Sequence, residues 1–228
     1  MVMKRDKNTN SIKWLIAGLL VWIATVPLLS GISESPVKAF GIILAWLALP
    51  VIYAVKNNDF EGIGITSKNL KNALAGMLAV SILYSVIRNL LIVFVPSSIN
   101  FLAASALTVA ELLKQGYFGN IAGPFSKLFP IMFFLTFLAA VSNELFYRGF
   151  LFTHLRQFVD WRLAIIISAL MFGAYHYLNV GVSGFIMGIV VSIVSGWLMQ
   201  KYNNIVAPAL FHFIQYILTI LVFYYLVI

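Results

Sequence analysis

Residues 128–152 read LFPIMFFLTFLAAVSNELFYRGFLF, an apolar run that is interrupted by one acid and one base. A membrane-spanning helix needs about 20 mostly apolar residues, so this stretch is long enough to cross a bilayer. Glu144 and Arg148 stand four residues apart, which places both on one face of a helix, with the acid nearer the N-terminus. Placing an ionisable side chain within a span costs free energy. Such side chains therefore usually face the interior of a helix bundle, where they mark functional sites.

The rest of the chain is equally apolar. Of its 228 residues, 62% are hydrophobic and 10% are charged, a composition that excludes a soluble domain of this size. Six further stretches predict spans, at about 14–32, 39–55, 73–95, 163–178, 181–199 and 205–228. The sequence therefore predicts an all-α transmembrane bundle of about seven spans, with the lipid bilayer as its solvent.

The segment between the third and fourth predicted spans has a different character. Residues 96–127 are more polar and are interrupted by Gly and Pro, and 101–115 is predicted to form a helix that lies at the membrane interface or enters it partway. We therefore predict two regions. Residues 1–127 hold three spans and this external segment, and residues 128–228 form a four-span core that carries the polar motifs.

Charge and cysteine content narrow the classes of function. Cysteine is absent, which excludes a disulfide framework, thiolate metal ligands and a cysteine nucleophile. The 15 Lys and Arg residues exceed the 7 Asp and Glu residues, but they are scattered between apolar runs, so no nucleic-acid partner is expected. A cytoplasmic N-terminus places eleven of the basic residues on or toward the cytoplasm and three outside, and this bias predicts that orientation.

The sixth predicted span carries a stripe of small residues. Gly184, Gly188, Ser192 and Gly196 recur every four residues and lie along one face of a helix. Small side chains let the backbone of another helix approach closely. This span is therefore predicted to be central in the bundle.

Two histidines accompany Glu144. Glu144 precedes the turn at Asp160 by sixteen residues and His176 follows it by sixteen, so unbroken helices would place both about 24 Å from that turn. His212 lies some nine residues past the next polar turn, at a depth of about 14 Å. An acid and two histidines on three helices predict a functional site within the membrane.

These side chains allow several kinds of chemistry. A carboxylate and a histidine that share a water can act as a general base, while a second histidine stabilises an oxyanion, and peptide hydrolysis would use both. The same three groups could bind zinc as a two-His, one-carboxylate site, although no HExxH motif occurs. A proton-coupled transporter also fits buried Glu and His, but the chain shows no inverted repeat.

At these positions the chain resembles the CPBP family of intramembrane endopeptidases, which includes the type II CAAX prenyl proteases and the bacteriocin-processing or self-immunity proteins also called the Abi family. The family has three motifs, Glu-Glu-x-x-x-Arg, Phe-x-x-x-His and His-x-x-x-Asn, and their counterparts stand here in the same order on the fourth, fifth and seventh predicted spans. The matching residues are Asn143, Glu144 and Arg148, then Phe172 and His176, then His212 and Tyr216. The resemblance covers about residues 128–220.

The resemblance implies an intramembrane peptidase of the glutamate type that cuts a membrane-associated peptide or protein, with no cofactor expected. Together with the small size it indicates a bacterial plasma membrane. Two departures stand out. Asn143 occupies the position of the family's first Glu, which activates water together with the first His. Tyr216 occupies the position of the family's Asn, which helps the second His to hold the oxyanion.

The resemblance, adjusted for these departures, predicts a division of roles. His176 and Glu144 activate water, Arg148 keeps Glu144 ionised, and His212, assisted by Tyr216, stabilises the oxyanion. An added Asn143→Glu change should then raise a weakened activity. The alternative is a catalytically degenerate member that acts by binding a regulatory membrane partner or by conferring bacteriocin self-immunity.

Overall fold

A computed structural model describes residues 2–29, 36–94 and 125–227, and all the regular structure within them is helical. The long helices are α1 (Val2–Thr25), α2 (Pro36–Asn57), α3 (Leu70–Phe94), α4 (Phe125–Glu144), α5 (Trp161–Leu178), α6 (Gly181–Tyr202) and α7 (Val206–Val227). A π-helix at Leu145–Phe152 and one α-helical turn at Thr153–Leu155 continue α4. The predicted all-α fold is confirmed, while the predicted interfacial helix at 101–115 falls outside the described residues.

Four helical segments are long and apolar enough to cross a membrane: Phe40–Asn57, Leu70–Leu90, Trp161–Leu178 and Gly181–Tyr202. Asn10–Thr25 and Val206–Thr219 are shorter apolar helices. Large apolar side chains on the outer surfaces of these helices are about half exposed, which suits contact with lipid tails. The chain is therefore an integral membrane protein, whereas the count of seven spans and the orientation of the N-terminus stay predictions.

Helices α5 and α6 form an antiparallel hairpin. Helical structure runs from Trp161 to Tyr202 but breaks at Gly181, whose φ of 71° and ψ of −152° are not helical. A Cβ added at Gly196 would meet Ile165, near the start of α5, and one added at Gly188 would meet Gly173. The small-residue stripe of α6 thus packs against α5, as the recurring glycines predicted.

Aromatic side chains of α1 and α2 pack against the π-helix. The ring of Trp46 stacks on Phe146 at 5.2 Å between centroids and meets Tyr147 edge-on. Trp22 donates a hydrogen bond from Nε1 to the hydroxyl of Tyr147 at 2.9 Å. Aromatic pairs contribute about 0.5–1.5 kcal/mol each beyond their buried area, so the first two helices stabilise the segment that follows Glu144.

The start of α7 is fixed by the loop between α2 and α3. Asn204 donates from Nδ2 to the carbonyls of Thr66 and Lys68, and its Oδ1 accepts from the amide of Val206 in the first turn of α7. The amide of Ile205 donates to the carbonyl of Gly64. Such capping satisfies backbone groups that a helix terminus leaves unpaired. The depth of the residues on α7, including His212, is set by these bonds.

Candidate active site

The site is built around the junction of α4 and the π-helix. Glu144 is the last residue of α4, and every residue of Leu145–Phe152 is buried. π-helical turns are rare and occur frequently at functional sites. Close packing holds this one in place, since a Cβ added at Gly149 would lie 2.8 Å from the carbonyl oxygen of Ile63. The sequence therefore supplies a glycine where the π-helix touches another backbone.

Glu144 and His212 form a buried hydrogen-bonded pair. Nδ1 of His212 lies 2.7 Å from Oε1 of Glu144, and the side chains are 3% and 0% exposed. An ionised carboxylate can only accept hydrogen bonds, so Nδ1 carries a proton and donates a hydrogen bond to Oε1 of Glu144. In that tautomer the lone pair is on Nε2. The pair thus presents a basic nitrogen that is oriented by a carboxylate.

Arg148 supplies the opposite charge. Its Nε lies 3.1 Å from Oε2 of Glu144 in a fully buried ion pair, although the two atoms are not aligned for a hydrogen bond. Its guanidinium also lies over the ring of Phe172, 4.9 Å from the centroid. Pairing with an arginine favours the ionised form of a carboxylate. Arg148 therefore pairs with Glu144 within the bundle and does not extend toward the membrane surface.

Phe172 lies at the centre of the site. Its ring centroid is 4.5 Å from that of His176 on the same helix and 5.3 Å from that of His212 on α7. Both imidazoles meet the ring edge-on, and Arg148 lies over it. Phe172 is fully buried and lies between the two histidines, and it hydrogen bonds to neither.

The structure pairs Glu144 with His212 rather than with His176. No hydrogen bond joins Glu144 to His176 among the described residues, because its two oxygens face His212 and Arg148. The predicted depths assumed unbroken α-helices, whereas the chain between Glu144 and Asp160 runs through a π-helix, one α-helical turn and a loop.

His176 is positioned by close contact between α5 and α6. A Cβ added at Gly188 would lie 3.1 Å from Cδ2 of His176 and 3.2 Å from Cα of Gly173. We expect Gly188→Ala to push His176 out of place and to lower the free energy of unfolding by about 1–3 kcal/mol through overpacking. Denaturant unfolding in mixed micelles measures the loss of stability.

Gly41→Ala is the matched control for that change. Gly41 also lies within an apolar helix, but a Cβ added there meets no atom within 4 Å. We expect Gly41→Ala to leave the free energy of unfolding close to that of the native chain. Equal behaviour of the two variants would contradict the role of Gly188 in positioning His176.

Asn143 and Tyr216 border the pair. The ring of Tyr216 stacks on His212 with 4.6 Å between centroids and 27° between planes. Asn143 is 3% exposed, and its Nδ2 has no hydrogen-bond partner among the described residues. Burying a donor without a hydrogen-bond partner costs free energy. A bound group that accepts a hydrogen bond from Nδ2 would offset this cost. Gln215, one residue from Tyr216, is likewise buried with both amide atoms unpartnered in the described part of the chain.

The three residues considered for zinc do not converge. No group of three His, Cys, Asp or Glu side chains within residues 2–29, 36–94 and 125–227 is arranged to hold a metal ion. Glu144 contacts His212, whereas His176 packs against Phe172 and Tyr175. The zinc site therefore has no support from these residues.

His154 lies apart from the site. It is fully buried, its Nδ1 lies 2.8 Å from the carbonyl oxygen of Phe150, and its ring contacts Tyr53. Burial, which disfavours the charged form, lowers the pKa of His154. A neutral ring therefore donates from Nδ1 to Phe150.

Residues 125–218 match the family described as Rce1-like, type II CAAX prenyl endopeptidase Rce1-like. The matched range begins at α4 and ends within α7, so it contains Glu144, Arg148, both histidines of the site and Tyr216. No curated protein and no solved structure matches the chain significantly. Residues 125–218 are thus similar to this family of membrane-embedded proteases, and the resemblance predicted from the motifs is confirmed.

Proposed function

We propose that this chain is an intramembrane endopeptidase that hydrolyses a peptide bond in a membrane-associated peptide or protein, in the plasma membrane of a bacterium. The observation that carries the proposal is the buried hydrogen bond of 2.7 Å between His212 and Glu144 beside Arg148. A histidine oriented by a carboxylate is a recurrent general base in acyl transfer. The match of residues 125–218 to a protease family supports the same reaction.

The proposed base is Nε2 of His212. As it takes a proton from water, the water oxygen attacks the carbonyl carbon of the scissile bond and a tetrahedral oxyanion forms. The imidazolium, stabilised by Glu144, then gives the proton to the leaving nitrogen, and the carbon–nitrogen bond breaks. This assignment moves the role of base from His176 to His212, because the hydrogen bond to Glu144 fixes the tautomer of His212.

The oxyanion needs donors on the other side of the bound carbonyl. His176, which Phe172 separates from His212, is the proposed principal donor, and the hydroxyl of Tyr216 and Nδ2 of Asn143 are further candidates. Such donors act most strongly in an apolar site that excludes water. Asn143 then contributes as a donor, a role that does not require the carboxylate that the family pattern places there.

We expect profiling of new protein N-termini to reveal cleavage. Cells that carry the native chain should show termini that are absent with Glu144→Gln or His176→Ala at matched membrane levels. Lys68→Gln is the control, since the Lys68 side chain is exposed and pairs only with the exposed Glu61 among the described residues, and it should reproduce the native profile. Identical profiles from all four chains would exclude the proposed activity in those cells.

A second candidate function is binding without catalysis. Asn143 and Tyr216 replace two residues of the family pattern, which favours a member that binds a regulatory membrane partner or confers bacteriocin self-immunity. Such an effect would survive Glu144→Gln, because binding does not require a general base. Loss of the biological effect at unchanged protein abundance would exclude this alternative.

A further inference from the structure

Two exposed cations at one end of the α5–α6 hairpin are not used by the proposed mechanism. Arg162 lies in the first turn of α5 and Lys201 in the last turn of α6, and both residues are exposed. A Cβ added at Gly196 would lie 2.9 Å from Cγ1 of Ile165, so the two helices are in close contact near this end. Arg162 precedes that contact by three residues and Lys201 follows it by five. Both cations therefore lie beyond the contact, at the same end of the hairpin.

Helix geometry places the two cations on one side of the hairpin. Because Ile165 faces Gly196, the antiparallel register brings Trp161 opposite Gln200 one turn further out. The cations are the next residues along the chain, Arg162 after Trp161 and Lys201 after Gln200. Each step rotates the side chain by about 100° in a right-handed sense. Since the two helices run in opposite directions, this rotation turns both cations to the same side of the pair.

Aromatic rings lie beneath both cations. The guanidinium of Arg162 is 5.1 Å from the ring centroid of Trp161. Nζ of Lys201 is 4.7 Å from the ring centroid of Trp197 and 5.4 Å from that of Tyr202. Trp and Tyr are enriched at the interfaces between membrane and water, at the level of the lipid head groups. The rings therefore indicate that the two cations lie at head-group depth.

Neither cation forms an ion pair with an acid among the described residues. The ion pairs of this part of the chain involve other side chains. Asp160 precedes Arg162 by two residues, but its Oδ1 accepts a hydrogen bond from the backbone amide of Arg162 at 2.9 Å and so caps α5. The two positive charges are thus available to an anion that comes from outside the described residues.

An exposed apolar stripe runs along the helix from each cation. At steps of four residues from the cation come Ile166 and Leu170 on α5, and Trp197 and Ile193 on α6. These four residues are between 38% and 49% exposed. Residues four apart lie on the same face of a helix, so each cation stands at the end of its own stripe. A phospholipid with a negatively charged head group has the complementary layout, an anion at the end of two apolar chains.

We propose that this side of the hairpin binds an anionic phospholipid, with the phosphate between Arg162 and Lys201 and the acyl chains along the two stripes. The predicted orientation places this end of the hairpin in the cytoplasm, and the cytoplasmic leaflet is the one that carries anionic lipids. The bound lipid links α5 to α6 and thereby stabilises the helix contact that positions His176. This site does not depend on the proposed peptidase activity.

Lipid binding by the intact chain tests the site. The full chain in detergent micelles is titrated with phosphatidylglycerol, or with phosphatidylcholine of the same acyl chains, and the bound lipids are counted by native mass spectrometry. A Lys or Arg near an anionic surface contributes roughly fivefold in affinity. We therefore expect one site with a roughly 25-fold preference for phosphatidylglycerol. Each of Arg162→Gln and Lys201→Gln should reduce the preference to roughly fivefold, and the double variant should abolish it.

The double variant Lys68→Gln, Lys71→Gln is the matched control. It removes the same net charge from the same end of the bundle, since the carbonyl of Lys68 accepts a hydrogen bond from Asn204, just beyond α6. The control should keep the native preference. Equal binding of the two lipids, a preference that survives the double change at Arg162 and Lys201, or an equal loss in the control would overturn the proposal.

Thermal unfolding gives a second measurement on the same variants. A ligand that binds only the folded chain raises the unfolding temperature. Phosphatidylglycerol should therefore stabilise the native chain more than phosphatidylcholine does, and the double variant at Arg162 and Lys201 should not show this difference. Because both residues are exposed, the double variant should unfold at the native temperature in phosphatidylcholine. A lower temperature there would assign the two residues to packing and would overturn the proposal.

Inorganic phosphate distinguishes a lipid site from a site for free phosphate. It carries the charge of the head group but has no acyl chains to contact the apolar stripes. At a concentration equal to that of the lipid, it should not displace phosphatidylglycerol from the native chain. Displacement would mean that Arg162 and Lys201 bind free phosphate, and the assignment to a lipid would be wrong.

Discussion

Replacing His212 with Ala is expected to lower the rate of peptide cleavage by about 10²- to 10⁴-fold, the range that a positioned general base contributes. The ring of His212 is the only described group that hydrogen bonds to Oε1 of Glu144. Its loss removes the proposed base and leaves that oxygen buried without a described donor. Once a substrate has been identified, the initial rate of cleavage by purified chain in nanodiscs measures the effect.

His154→Gln is the control for the loss of a histidine. His154 is buried like His212, but its contacts are with Phe150 and Tyr53 rather than with the site. We expect its cleavage rate to stay within about threefold of native, since it contacts none of the reacting groups. If His212→Ala cleaves as fast as His154→Gln while His176→Ala is inactive, His212 is not the base and the earlier assignment to His176 regains support.

The helices were predictable because the apolar runs are long and are separated by clear breaks. The runs at 163–178 and 181–199 correspond to α5 and α6, and Gly181 adopts the backbone conformation that ends one helix and begins the next. Glycine tolerates a positive φ that other residues avoid. The spacing of small residues on α6 likewise predicted the close contact at Gly188.

The spacing of residues in the sequence did not predict which histidine hydrogen bonds to Glu144. A π-helix has no distinct apolar pattern over eight residues, so Leu145–Phe152 reads as a continuation of α4. The depths estimated from an unbroken α-helix therefore do not hold beyond Glu144. The motifs singled out Glu144 and the two histidines as candidates, but the hydrogen bond between Glu144 and His212 was seen only in the three-dimensional arrangement.

The direction of the Arg88 side chain was likewise not predictable from the sequence alone. Its position in an apolar run is visible in the sequence, but a charge there can extend to the membrane surface or pair with a buried acid. The packing of α3 against α7 shows that the side chain points into the bundle, where Nη1 donates to Thr219 and where Nε and Nη2 have no partner among the described residues.

Replacing Arg148 with Met is expected to lower the free energy of unfolding by about 3–5 kcal/mol, since removing one partner of a buried ion pair leaves the other charge uncompensated. Arg148 and Glu144 are both fully buried, with Nε and Oε2 3.1 Å apart. Met retains much of the volume over Phe172, so the change tests charge more than packing. Denaturant unfolding in mixed micelles measures the loss.

A double-mutant cycle separates the ion pair from other effects of the substitution. Adding Glu144→Gln removes the stranded carboxylate, so Arg148→Met should cost far less in that background than alone. Arg156→Met is the control, because Arg156 lies in a partly exposed turn and its hydrogen bonds to Gln200 and Asn203 are long, at 3.4 and 3.5 Å. Its cost should stay below about 1 kcal/mol. Additive effects of the Arg148 and Glu144 changes would mean that the bundle tolerates Glu144 without its counter-charge, and that His212 alone holds the carboxylate in place.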